Sequence, residues 1–254
     1  MKSLQFDGVS LGIYDTRKEM GAAAARDAAA GIKNLLQTQK AINCIFAAAP
    51  SQNEFLSTLV ADTSIPWERI NAFHMDDYVG FRKGDPRSFN GFLTEKIFSR
   101  VPFKSINLID GAADPDEEAV RYGALLDSVR MDITFMGIGE NGHIAFNDPD
   151  VADFKDAKTV KKVKLDPVCR QQQVNDGCFT SLSEVPEYAL TVTIPKLVSS
   201  RYIFCIVPTE KKRRATAAAL TGPVSEACPA SILRKIKNVR MYIDKDCAGD
   251  LTQE

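Results

Sequence analysis

Histidine and tryptophan are scarce in this chain, with two and one among 254 residues, and neither sign of charge prevails, with 32 Lys and Arg against 33 Asp and Glu. Each shortage excludes something. Basic residues gather only at Lys161-Lys162 and Lys211-Lys212-Arg213-Arg214. Nothing resembles the basic stripe that releases counterions from nucleic acid, so nucleic acid is not an expected partner. No apolar run approaches the ~20 residues of a membrane span, and the stretch from Met1 to Asp7 lacks the apolar segment of a signal peptide. A cytoplasmic protein without a membrane partner is expected. Six cysteines (Cys44, Cys169, Cys178, Cys205, Cys228, Cys247) lack C-x-x-C pairing. That suits buried thiols in a reducing compartment better than a disulfide framework, and the spacing supports no zinc site. With no repeat, low-complexity tract or linker, residues 1–254 read as one domain, long enough for a core that needs no metal or disulfide.

What is present is a regular alternation. Apolar, β-branched runs at Ile42 to Phe46, Trp67 to His74, Phe103 to Ile109, Ile133 to Met136, Thr159 to Leu165, Tyr188 to Ile194, Tyr202 to Val207 and Val239 to Asp244 read as strands. Helical patterns lie between them. Thr16-x-x-Glu19 and Ser51-x-x-Glu54 have capping-box spacing, and Asp114-Pro115 is a strong helix start. The expected fold is α/β, a Rossmann-like, doubly wound and mostly parallel sheet of about seven or eight strands.

Four polar clusters follow strand ends, where such sheets bind small molecules. After Phe46, small residues lead to Ser51-Gln52 and a helix start, a candidate anion site or an ordinary capped turn. After His74 come Asp76 and Asp77. Adjacent carboxylates repel, so one can have a raised pKa and act as a base; the alternative is that Asp77 or Asp76 simply caps a turn. After Met136 comes Gly137-Ile138-Gly139-Glu140-Asn141-Gly142-His143, with Asp148 five positions beyond the histidine. Imidazole suits proton transfer near neutral pH, and a carboxylate fixes its tautomer. After Val207, Lys211 and Lys212 stand in the first turn of a helix, where they oppose the macrodipole unless an anion binds nearby. The amide-rich run Gln171-Gln172-Gln173 reads as hydroxyl or phosphate recognition, or as a solvated helix. A phosphate clamp, a carboxylate and an imidazole fit proton transfer on a sugar phosphate.

With Met75-Asp76-Asp77-Tyr78-Val79-Gly80, Gly137-x-Gly139-x-x-Gly142-His143-Ile144-Ala145-Phe146-Asn147, Val185-Pro186 with Ala189-Leu190-Thr191, and the lysine turn, the chain resembles the hexosamine-phosphate deaminase/isomerase family over nearly its full length. The resemblance implies conversion of glucosamine 6-phosphate or galactosamine 6-phosphate to the ketose 6-phosphate and ammonia, with no metal or organic cofactor. It implies Asp76 as the base at C2, His143 as the ring-opening group and Asp148 as its orienting carboxylate. It implies Lys212 as the phosphate-binding lysine, or Lys211 if the turn is shifted by one. Ser51, Gln52, Asp77, Gly142 and Arg170 are the remaining candidate binding residues. Members of that family carry aspartate where this chain has Asn141 and glutamate where it has Asp148, so the imidazole is expected to be less negatively surrounded. The 6-phosphogluconolactonases, which share fold and histidine loop, are the enzyme alternative, and a catalytically inactive sugar-phosphate-binding regulator is the other. The expected partner is the small sugar phosphate, and homo-oligomerisation is left open.

Overall fold

Ile133-Thr134-Phe135-Met136 is buried along its whole length, as a strand must be when helices cover both faces of its sheet. The computed structural model describes residues 1–252, so the last two residues of the expected 1–254 unit lie outside the described residues. In chain order the elements are β1 (Lys2–Phe6), β2 (Val9–Tyr14), α1 (Arg17–Leu36), β3 (Ile42–Phe46), α2 (Asn53–Ala61), β4 (Ile70–His74), β5 (Asp76–Tyr78), α3 (Phe89–Leu93), β6 (Ser105–Asn107), α4 (Pro115–Asp127) and β7 (Ile133–Met136). The second half runs through β8 (Val160–Lys164), α5 (Pro167–Asn175), β9 (Tyr188–Val192), α6 (Ile194–Val198), β10 (Tyr202–Val207), α7 (Arg213–Thr221), β11 (Val239–Asp244) and α8 (Lys245–Ala248).

The main sheet has eight strands in the order β1-β2-β11-β10-β7-β3-β4-β6. Every neighbouring pair is parallel except β1 with β2. Successive side chains serve opposite faces. Phe46, Phe135 and Phe204 pack with α1 and α2 on one side, while Ile45, Met136 and Ile203 pack with Tyr122 and Leu126 of α4 and Ala215 and Ala219 of α7 on the other. The chain lays β4 and β6 outward from β3, then returns to place β7 against the opposite edge of β3 and moves outward again through β10 and β11. Strand order therefore reverses between β3 and β7, and a crevice opens at their carboxyl ends.

Two expectations about the strands need correction. Thr159 to Leu165 and Tyr188 to Ile194 are strands, but β8 and β9 pair antiparallel with each other and with β5 in a separate three-stranded sheet. That small sheet holds Asp76 over the crevice. Their places in the main sheet go to the hairpin β1–β2, whose two-residue Asp7-Gly8 turn puts Phe6 opposite Val9. The strand expected from Trp67 begins instead at Ile70, because Trp67–Arg69 forms a tight 3-10 turn after Pro66. Thr16 and Asp114 do cap their helices, each accepting N–H bonds from the first turn.

Candidate active site

At the crevice a cavity of about 560 Å³, open mouth included, is lined by residues from six segments, among them Ser51, Asp76, Phe89, His143, Gln172 and Lys212. The segment after β3 is pinned to β7 by the Ala47 N–H, which donates to Phe135 O (2.9 Å). Pro50–Gln52 then forms a 3-10 turn capped by no side chain, so the expected Ser51 capping box is not made. Glu54, its other half, pairs with Arg17 at 2.9 Å. Ser51 thus keeps its hydroxyl on the cavity wall. Gln52 is buried; its amide nitrogen donates to Ser51 Oγ and Ile206 O (3.2 and 3.3 Å), and its Oε1 meets no partner.

The two adjacent carboxylates are sorted by their surroundings. Asp76 lines the cavity and is 5 % exposed. Burial, then the charges of Asp77 and Asp148, holds its carboxyl well above the ordinary range, against the pull of the Phe146 N–H. Asp77 points away. It accepts from Tyr78 N, Phe89 N, Asn90 N and Asn90 Nδ2, at 2.8–2.9 Å, and so fixes the start of α3, where Phe89 reaches the cavity. Its four bonds leave it no lone pair aimed at a ligand, which sets aside the expected binding role.

Asp77 therefore yields a stability prediction. Asp77→Asn puts an amide NH₂ against two N–H donors, and leaving such groups unpaired is expected to destabilise by on the order of 2–4 kcal/mol, read by urea unfolding at pH 7. Burial raises the Asp77 carboxyl from 3.8 to about 6 in spite of the four bonds. With the folded value raised, the group's contribution to stability is complete below 3.8 and is lost as pH rises through about 6. The gap between wild type and variant should accordingly narrow across that window; a widening gap would contradict the burial argument.

Beyond β7 the glycine loop turns tightly. Gly139 N donates to His143 O (2.9 Å) and Gly142 N to Gly139 O (3.0 Å). Gly142 has φ +88° and its carbonyl accepts from Ala230 N, so it shapes the turn and does not line the cavity. His143 Nδ1 is buried and lies 2.9 Å from Asp148 Oδ1, which leaves Nε2 as the nitrogen free for the cavity. Asn141 does not face the ring. Its Nδ2 donates to Asp148 Oδ1 (2.9 Å) and its Oδ1 accepts from the His143 N–H (3.1 Å). Burial pushes the Asp148 carboxyl up, but the bonds from His143, Asn141 and the Asp166 N–H outweigh it and hold the group below the ordinary range. Ala145, on the cavity wall, has φ +50°, a strain of about 1 kcal/mol or more that clusters at working sites.

Gly139 has a steric purpose. A Cβ there would come within 2.2 Å of His143 Cε1 and Nε2. Gly139→Ala should displace the imidazole and lower turnover by roughly a hundredfold, with a small change in unfolding midpoint. Equal losses of activity and stability would show a general fold defect instead.

The fourth strand end carries Thr209, at φ +80°, whose N–H donates to both Asp244 oxygens (3.0 and 3.1 Å). The turn delivers Lys212 to the cavity wall at 5 % exposure, its Nζ buried with no partner. Burial lowers its pKa although Asp176 and Glu140 pull the other way. Lys211 lies outside and donates to Asn175 O (3.1 Å). On α5, Gln172 and Gln173 are buried and line the cavity with Asp176, so the helix is not merely solvated. Gln172 Oε1 accepts from Glu140 N (2.8 Å), tying α5 to the histidine loop. Arg170 is elsewhere: it donates to Leu182 O and Val185 O (2.9 and 2.7 Å) and holds the chain after α5. Both bonds come from one guanidinium nitrogen, and Arg170 is not among the residues that line the cavity. Glutamines 172 and 173 and Phe89 were the cavity residues hardest to assign from sequence.

The family described as glucosamine-6-phosphate isomerases/6-phosphogluconolactonase matches residues 15–242. A glucosamine-6-phosphate deaminase of Exiguobacterium sibiricum is 36% identical over 186 residues, 73% of this chain and 72% of that protein. One of Listeria monocytogenes is 30% identical over 213 residues, 84% of this chain and 89% of that protein. Among solved structures, a monomeric glucosamine-6-phosphate deaminase has a TM-score of 0.85 at 29% identity, covering 94% of this chain and 98% of its own. A 6-phosphogluconolactonase of Thermotoga maritima has a TM-score of 0.75 at 17% identity, covering 93% of this chain and 100% of its own, which shows a common fold. Among the described residues no helix is long and apolar enough to cross a membrane.

Proposed function

Because the chain belongs to the glucosamine-6-phosphate isomerase/6-phosphogluconolactonase family, we propose that it is a hexosamine-phosphate deaminase/isomerase, converting glucosamine 6-phosphate or its C4 epimer to the ketose 6-phosphate and ammonia. The observation that carries this reading is the meeting of Asp76, His143 and Lys212 in one cavity. The buried ammonium of Lys212, the Ser51 hydroxyl and the backbone around Gln52 take the phosphate. A dianion supplies the charge that Nζ lacks.

His143 then opens the pyranose ring by moving a proton from O1 to O5 through Nε2, while Asp148 holds the tautomer at Nδ1 and Asn141 steadies Asp148. Asp76 removes the C2 proton while a proton passes from the substrate's ammonium to O1, giving an enolamine, and then returns it to C1, leaving an iminium at C2. Water adds there and ammonia departs, so the sum is amino sugar phosphate plus water to ketose phosphate plus ammonia. A carboxyl whose proton affinity is raised by burial is suited to both halves of that transfer, since the ideal base titrates near the working pH. Gln172 and Gln173 are placed to bond sugar hydroxyls. No step calls for a metal or organic cofactor.

We assign the activity to the cytoplasm, a reducing compartment, in keeping with the six cysteines being free thiols. Incubating the pure protein with glucosamine 6-phosphate, galactosamine 6-phosphate and 6-phosphogluconolactone tests the reading. Ammonia from an amino sugar is the expected result. Acid from the lactone without ammonia would mean a lactonase, and binding without turnover a regulator.

A further inference from the structure

Spacing along the chain gave no reason to expect a metal site, yet the fold closes one. Cys169, on the first turns of α5, comes to the histidine loop from 21 positions beyond Asp148, and ligand atoms of His143, Asp148 and Cys169 all lie within 4.8 Å of one another. All three residues are buried. They offer one nitrogen, one oxygen and one sulfur, the donor types Zn²⁺ takes in tetrahedral sites. Three protein ligands leave a fourth position open. Donors on a tetrahedral Zn²⁺ stand roughly 3.5 Å apart, so the 2.9 Å between His143 Nδ1 and Asp148 Oδ1 must widen slightly while the reach to sulfur, within 4.8 Å, closes.

We infer that His143, Asp148 and Cys169 form an inhibitory binding site for a borderline-soft divalent cation of the Zn²⁺ class. The ion replaces the proton between Nδ1 and the carboxylate. The imidazole proton moves to Nε2, the thiol proton leaves to solvent, and the ring stays neutral with Nδ1 on the metal. Nε2 then carries a hydrogen and cannot accept one from the substrate's O1, so ring opening stops. The site itself rests on geometry alone; only the inhibition rests on the proposed proton relay through His143. Of the three, only His143 borders the cavity. A Mg²⁺-class ion, which prefers oxygen ligands and octahedral geometry, should not compete.

Cys228 is the nearest confounder, because its sulfur lies against the same loop, 2.9 Å from where a Cβ on Gly142 would stand. Titrating Cd²⁺ into the full chain and following the ultraviolet thiolate-to-metal band separates the two cysteines. One equivalent of band is expected in wild type and in Cys228→Ser. In Cys169→Ser the affinity should fall by at least about ten- to a hundredfold. No band in wild type, a band that survives in Cys169→Ser, or one lost in Cys228→Ser overturns the site. A second readout needs no variant: with two histidines in the chain, Zn²⁺ should shift the Nδ1 signal of His143 and spare that of His74, and an unmoved His143 signal refutes the assignment. Turnover on whichever sugar phosphate the enzyme accepts should be lost at one equivalent of Zn²⁺ and return with a chelator. Binding at these residues with turnover intact would overturn the inhibition and the relay role together, whereas absence of binding would leave the proposed function standing.

Discussion

Asp76→Asn is expected to lower kcat by about 10²–10⁴-fold, the usual contribution of a positioned general base, while substrate binding holds within a small factor. Asparagine keeps the volume and one acceptor, and the Phe146 N–H keeps its bond to Thr191 Oγ1 (3.1 Å). It cannot take a proton. The variant should also be the more stable protein above neutral pH. Burial and two neighbouring carboxylates raise the Asp76 carboxyl in the folded state, so its contribution to stability is present at low pH and lost as pH rises through the raised value. An amide escapes that loss. Thermal melts from pH 5 to 9, set beside turnover, distinguish the catalytic from the structural effect. Near-normal turnover would remove Asp76 from the base's role.

Lys212→Met should weaken binding of 6-phosphorylated sugars by about one to two decades, since a charge-assisted contact to a dianion is worth on the order of 1.5–3 kcal/mol. Methionine has nearly the length of lysine and no charge. Because burial lowers the lysine's pKa, its contribution to stability is present above 10.5 and is lost as pH falls through the lowered value. At neutral pH the ligand-free variant should therefore melt higher than wild type, yet gain less from added inorganic phosphate. Opposite signs in the two measurements are the mark of a site kept for binding. Lys211→Met serves as control, its ammonium being engaged with Asn175 O outside the cavity. A loss there equal to that in Lys212→Met would contradict the assignment.

The parts of this site legible in the sequence were those attached to strand ends. Parallel strands buried on both faces leave an unbroken apolar signature, so the polar residues that follow Phe46, His74, Met136 and Val207 stand out, and topology gathers them at one edge. What a side chain does after that depends on contacts between segments far apart in the chain. Asp76 and Asp77 are indistinguishable by pattern; the pairing of β5 with β9 turns one to the cavity, and the start of α3 captures the other. Arg170 reads as a ligand residue because nothing in its own segment satisfies it, and its carbonyl partners come 12 and 15 positions later.

Asn141 shows the same limit in its chemistry. Replacing a carboxylate by an amide in the histidine loop suggests a change at the imidazole, yet the amide's partner is Asp148, whose oxygen it shares with the ring. The hairpin β1–β2 is different. Asp7-Gly8 between alternating residues carries a hairpin signal of its own, independent of any long-range partner. Strands β8 and β9 could not have been assigned to the small sheet by periodicity, because which sheet a strand joins is decided by its partners, not by its own alternation.

The most direct test of the whole account is to follow the C2 hydrogen itself. Glucosamine 6-phosphate deuterated at C2, or the galactosamine epimer if that is the substrate, is incubated with wild type and with Asp76→Asn, and label in water, in the C1 position of the ketose and in recovered substrate is measured with ammonia. Wild type should release ammonia with the label moved to C1 or lost to water, and Asp76→Asn should bind the same substrate and leave its label in place. Ammonia formed together with an aldose phosphate that keeps deuterium at C2, or label lost equally fast in the variant, would contradict the assignment of Asp76 as the base that moves the C2 proton.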